Sequence, residues 1–187
     1  MVIHLAKIRK IYMDNRRLQS TSLSDALELI GEGPSFKSTL HAMLTNTMCF
    51  CNFSSQDIDI LVDHIKAYQV PARTTIFHEG ERNSYLCVLI EGRIGVYKED
   101  EHKERKQLAT IKQGKIFGEI SLIDDFPYSA SIIAETDVTC CLMSRENFRN
   151  CVEVNPILGV RLLRLISSML CMRLRATSGQ LVDLIDT

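Results

Sequence analysis

Ile116-Phe117-Gly118-Glu119-Ile120-Ser121-Leu122-Ile123-Asp124-Asp125-Phe126-Pro127-Tyr128-Ser129-Ala130-Ser131 is the stretch around which the rest of the chain is organised. Its pattern predicts a short helix that opens on a glycine and gives way, past a proline, to an extended run. Gly118 lacks a Cβ and so lets the backbone come close to a bound group. The free N–H groups and positive dipole end of such a helix start suit an anion. Glu119, one residue into the turn, is placed to accept a hydrogen bond from a hydroxyl of the same ligand. Pro127 ends the helix, and Ala130-Ser131-Ile132-Ile133-Ala134 resumes as a strand.

The chain around this stretch has 187 residues, 45% of them apolar, enough for one domain with attachments and a real core. A net charge of −1 argues against binding nucleic acid or membranes by bulk electrostatics. No apolar run is long enough to span a bilayer. The N-terminus, with Lys7, Arg9 and Lys10 soon after the start, lacks the pattern of a signal peptide. Seven cysteines without a secretion signal point to reduced thiols and a cytoplasmic location. Cys49-Phe50-Cys51 and Cys140-Cys141 have neither the partners nor the spacing of a zinc or iron–sulfur site. Cys140 reads as a small core residue, and no cofactor or metal is expected.

Before the key stretch the signals change twice. Residues 1–45 read as a helical or partly ordered extension. A basic start that includes Arg16 and Arg17 leads to a helix over 24–30 with Ser24 as its cap, broken by Gly31-Glu32-Gly33-Pro34. A second helix begins at Ser54-Ser55-Gln56-Asp57, with Ile58, Leu61, Val62 and Ile65 at helical spacing. Then the period becomes two. Strands are expected at 74–77, 85–90, 94–98, 107–111, 131–134 and 138–143, between glycine-bearing turns at Gly80, Gly92 and Gly114, with a charged hairpin tip over 99–106. Short strands at this pitch predict an antiparallel roll or barrel.

After the strands, Ser144 caps a short helix, and Asn155-Pro156 opens a longer one. Leu158, Leu162, Leu165, Met169, Met172 and Ala176 follow the 4-3 spacing of a two-stranded coiled-coil seam. A second row, Leu163, Ile166 and Leu170, is expected to face the roll, and a homodimer follows from this reading. Gly179 marks a helix end or kink. No nucleophile–base pair or metal set appears, so no enzyme is expected.

The 116–131 stretch resembles the phosphate-binding cassette of cyclic nucleotide-binding domains, as in the catabolite activator and protein kinase A regulatory families. Their pattern is roughly F-G-E-[LI]-[AS]-L, about five residues, then P-R-[AST]-A. Ile76-Phe77-His78-Glu79-Gly80-Glu81 and the run from Tyr85 to Tyr97 extend the resemblance over roughly residues 48–185. The implied fold is α+β: an antiparallel, jelly-roll-like β-roll (about 72–143) within a domain over 46–187, flanked by N-terminal helices and a C-terminal dimerisation helix (about 156–178).

The implied ligand is cyclic AMP or cyclic GMP, contacted by Phe117, Gly118, Glu119, Ile120, Ser121, Tyr128, Ser129 and Ala130. By the same resemblance Thr177 and Ser178, in an R-L-x-x-T-S run, reach the base, the alternative being that they merely flank Gly179. Tyr128 stands where the family has arginine. A neutral phenol in place of the cation costs about 2–5 kcal/mol, or roughly thirty- to several-thousand-fold in affinity; Lys115 and Arg82 are candidate substitutes. Weak cyclic nucleotide binding, a ligand-free interaction scaffold and a sensor of another small ligand such as haem all follow from that one substitution. With the chain stopping at Thr187, direct DNA binding is not expected and output would pass to an unknown effector protein.

Overall fold

The structure, a computed structural model, describes residues 27–185. Ser24 and the basic cluster from Lys7 to Arg17 lie outside the described residues. In chain order the elements are β1 (Glu28–Gly31), α1 (Lys37–Thr45), α2 (Ser55–Val62), β2 (Lys66–Val70), β3 (Thr75–Phe77), β4 (Tyr85–Glu91), β5 (Arg93–Glu99), β6 (Arg105–Lys112), β7 (Ile116–Phe117), α3 (Glu119–Asp124), β8 (Ser131–Ala134), β9 (Val138–Ser144), α4 (Arg145–Val154) and α5 (Pro156–Ile185). The chain divides into two compact units, with the boundary between Phe148 and Arg149.

The first unit holds two open antiparallel sheets rather than a closed barrel. One runs β1-β2-β9-β4-β7 and the other β3-β8-β5-β6. A single hydrophobic cluster draws on both, with Val70, Cys87, Leu89, Cys140 and Leu142 from one sheet and Phe77, Ile94, Ile132 and Ala134 from the other. Burial alternates along β8 as a half-buried strand requires, whereas β4 and β9 each carry four consecutive buried residues. Tight turns at Gly80, Gly92 and Gly114 all have positive φ, which glycine adopts without a Cβ penalty.

The expected helix over 24–30 is corrected where the structure describes it. Glu28–Gly31 is a strand paired with β2, Glu28 opposite Gln69 and Leu29 opposite Tyr68. The extension therefore joins the roll, and Leu27 is buried in the shared cluster. Ala-Leu-Glu-Leu favours helix locally, yet pairing with a sheet edge overrides a preference of only a few tenths of a kcal/mol per residue, about that order. The roll also begins earlier than residue 72, with β2. The charged hairpin tip is shorter than expected, because Asp100 Oδ1 accepts from the His102 and Glu104 amides at 2.9 and 3.0 Å and tightens the turn.

The cap signals hold. Ser54 and Asp57 form a reciprocal capping box, with the Asp57 amide donating to Ser54 Oγ at 3.2 Å and the Ser54 amide to Asp57 Oδ2 at 2.8 Å. The Asn147 amide donates to Ser144 Oγ at 3.2 Å, and α4 follows. In the second unit, α5 begins at Pro156 and runs through Gly179 to Ile185. The expected end or kink at Gly179 is corrected: one glycine costs about 1 kcal/mol relative to alanine, too little to stop a thirty-residue helix.

Leu158, Leu162 and Met169 are buried within the single chain, Leu165 is half-buried, and Met172 is exposed. Leu163, assigned to the inward row, is exposed. The apolar residues left exposed include Val160, Leu163, Leu174 and Leu181, a different stripe of the same helix. A helix apolar over a wide arc carries several rows at heptad spacing, and spacing alone does not say which the chain covers itself.

Candidate ligand-binding site

The 116–131 segment crosses from one sheet to the other. Its first strand, β7, pairs with β4 through Cys87 opposite Phe117 and Val88 opposite Ile116. Its last, β8, pairs with β3 and with β5. Between them Gly118 has φ +77°, and a Cβ there would lie 2.5 Å from the Tyr85 carbonyl oxygen and 3.0 Å from the Phe77 ring. The turn thus requires glycine for both its backbone angle and its clearance. It starts α3 with Glu119 fully buried. Ser121 is buried too, its hydroxyl donating to the Gly118 carbonyl at 3.3 Å, while Ile120 is exposed.

The far end of α3 is held by a second set of contacts. Asp125, with φ +61°, terminates the helix. Arg145 donates to Ser84 Oγ at 2.7 Å and to the Ser121 carbonyl, and pairs with Asp125. Ser84 Oγ also donates to the Ser121 carbonyl, at 3.1 Å. A cleft of about 390 Å³ lies here, lined by the Arg82–Tyr85 turn, Asp125 and Phe126, and Ser144 to Glu146. Arg82, one of the candidate cations, belongs to this cleft.

Tyr128, expected to offer its phenol to a ligand, packs inward. Its ring is 5% exposed and stacks on Phe77, with centroids 4.2 Å apart and planes 16° from parallel. Phe117 completes the aromatic cluster, 5.8 Å from Phe77. The Tyr128 hydroxyl is buried with no hydrogen-bond partner among the described residues. Burial pushes its pKa far up, with the Cys87 thiol adding to the shift and the nearby Tyr85 backbone opposing it. The main chain of Tyr128 is fixed to the β3–β4 turn: the Gly80 amide donates to its carbonyl at 2.9 Å and its amide donates to the Glu81 carbonyl at 3.0 Å.

Ser129 is exposed and Ala130 half-buried. The Ser129 carbonyl accepts from Lys98 Nζ at 2.9 Å, and the same ammonium reaches Glu79 Oε1 at 2.9 Å. Sequence reasoning missed Lys98. The signal was present in the strand alternation, since Ile94 pairs with Ala134 and Val96 with Ile132, both inward, and the next residue on that face is Lys98. Thr177 and Ser178 lie on α5 in the second unit. Both are exposed, and Ser178 Oγ donates to the Leu174 carbonyl at 2.8 Å.

Among the described residues no group of three or more His, Cys, Asp or Glu could hold a metal ion, and the cysteines are free thiols. No helix among them is long and apolar enough to cross a membrane.

Residues 68–155 match the family described as cyclic nucleotide-binding domain. The chain carries a cyclic nucleotide-binding domain. The cAMP-activated global transcriptional regulator CRP of Pasteurella multocida is 30% identical over 128 residues, 68% of this chain and 59% of that protein. The CRP of Salmonella typhimurium is 28% identical over the same length and coverage. The chain thus spans well under two thirds of these curated relatives. A cyclic nucleotide-binding domain from Methylobacillus flagellatus shares the fold at TM-score 0.74 and 24% identity, over 86% of this chain and 90% of its own. The domain's matched span takes in the whole 116–131 segment, Lys98 and Arg145.

Proposed function

We propose that the chain is a regulatory module of the cyclic nucleotide-binding type, with residues 117–121 and 128–130 as its ligand contacts. The observation that carries this reading is the Gly118 turn, which combines an obligatory left-handed glycine with a fully buried Glu119 at the start of a helix. Burying a carboxyl group is costly unless polar groups meet it, and a ligand hydroxyl is one such group. The relatives' names supply the ligand class: CRP proteins are described as cAMP-activated. Cyclic GMP is the second candidate.

Binding is weak in this proposal. Tyr128 points its ring into the core, so it gives the ligand's phosphate no cation. Isothermal titration of the wild-type chain with cyclic AMP and cyclic GMP, carried to millimolar concentration, tests the assignment. Heat that disappears in Glu119→Ala supports it, and no heat with either nucleotide overturns it.

The module acts as a homodimer through the exposed apolar stripe of α5, which includes Val160, Leu163, Leu174 and Leu181, and passes its signal to an effector protein. The buried Tyr128 ring favours one second reading, a ligand-free interaction scaffold on the same roll. A scaffold keeps its partner whether or not nucleotide is added, whereas a sensor does not.

A further inference from the structure

The two-sheet roll places a lysine where the 116–131 segment has no cation of its own. Lys98 follows Ile94 and Val96 on one face of β5, at the exposed end of the strand nearest Ser129. Its ammonium touches the segment directly, at 2.9 Å from the Ser129 carbonyl. A lysine ammonium has three donors. Two are used here, on Ser129 and on Glu79 Oε1 at 2.9 Å.

The Glu79 partnership is loose. The two side chains are 45% and 32% exposed, and ion pairs with that much water contribute little. Glu79 is itself positioned by the turn, its amide donating to Ser131 Oγ at 3.0 Å and its Oε2 accepting from the Glu99 amide at 3.3 Å. Lys98 is therefore parked on a carboxylate beside the segment, and an anion arriving there exchanges one negative partner for another.

We propose that Lys98 is the binding residue that faces the phosphodiester of a cyclic nucleotide in this domain, and that Glu79 competes with the ligand for it. The proposal rests on the functional reading above and names the cation that reading lacks. It gives the two residues opposite signs. Loss of the lysine weakens the ligand, and loss of the competing carboxylate strengthens it. A merely structural Lys98–Glu79 bridge would weaken the site whichever end is removed.

The test is titration calorimetry with cyclic AMP on the wild-type chain, Lys98→Met, Lys98→Arg, Glu79→Gln and Tyr128→Arg, each first shown to melt cooperatively by circular dichroism. The expected result is a loss of at least about tenfold in affinity for Lys98→Met, wild-type-like binding for Lys98→Arg and a severalfold gain for Glu79→Gln. Lys98→Met binding as tightly as wild type overturns the inference, and so does a loss in Glu79→Gln. If the wild-type chain binds nothing, the ligand assignment fails and the inference with it, even where Tyr128→Arg binds; Lys98→Met binding like wild type sinks the inference alone.

Discussion

The ring of Tyr128 lies on that of Phe77 at 4.2 Å, nearly parallel, in a cluster that both sheets build. Stacking of this kind contributes about 0.5–1.5 kcal/mol beyond the area it buries. A residue expected to face the ligand is thus part of the packing of the roll, and the consequences for stability and for binding separate.

Removing only the hydroxyl should help the fold. Its buried oxygen has no hydrogen-bond partner among the described residues, and a buried polar group without one costs about 1–3 kcal/mol. Tyr128→Phe keeps the stack and should raise stability by about 1 kcal/mol, read from the urea midpoint. A loss of that size would reveal a partner for the hydroxyl.

Gly118→Ala should do the opposite. Its φ of +77° and the 2.5 Å approach of a Cβ to the Tyr85 oxygen leave no unstrained solution. Positive φ alone costs an alanine about 1–2 kcal/mol, so a loss of at least about 2 kcal/mol in denaturant unfolding is expected. A wild-type midpoint would mean the turn has another conformation.

Alkaline pH should destabilise the domain through its thiols. Burial pushes Cys141 from 9.0 to about 12 and Cys49 likewise to about 12, with Cys87 and Cys140 also raised. Between pH 9 and about 12 the unfolded chain has lost these protons while the folded chain keeps them. Their contribution is intact below 9 and falls as pH rises through that window, by about 1.4 kcal/mol per pH unit for each thiol. Urea midpoints measured on both sides of pH 9 check the onset, and Cys141→Ala should make the decline shallower.

The α5 stripe gives a prediction about assembly. Leu174 is 68% exposed on that helix, and an apolar seam tolerates charge poorly. Leu174→Glu should convert a dimer to a monomer in analytical ultracentrifugation without lowering the thermal midpoint of the isolated chain. A wild-type chain that sediments as a monomer removes the proposed dimer.

Much of the roll was readable because its turns are chemically forced. Gly80, Gly92, Gly114 and Gly118 all have positive φ, and short strands lie between them. β1 was not readable, because Ala-Leu-Glu-Leu looks helical until a sheet edge pairs with it. Gly179 misled for the converse reason, since its small penalty is absorbed by a long helix. At the site, Tyr128 was visible as a candidate but its direction was not, because the stack on Phe77 that turns its ring inward joins residues far apart in sequence. Lys98 was overlooked because alternation gives its face of β5 but not its contact with the Ser129 carbonyl, which joins residues 31 apart.

The most direct test follows the backbone amides of the wild-type chain by nuclear magnetic resonance as cyclic AMP is added. The expected result is a saturable shift confined to Phe117 through Ser121, Tyr128 through Ser131 and Lys98. Unmoved amides at millimolar nucleotide, or shifts clustered away from these residues, would contradict a ligand site at the Gly118 turn.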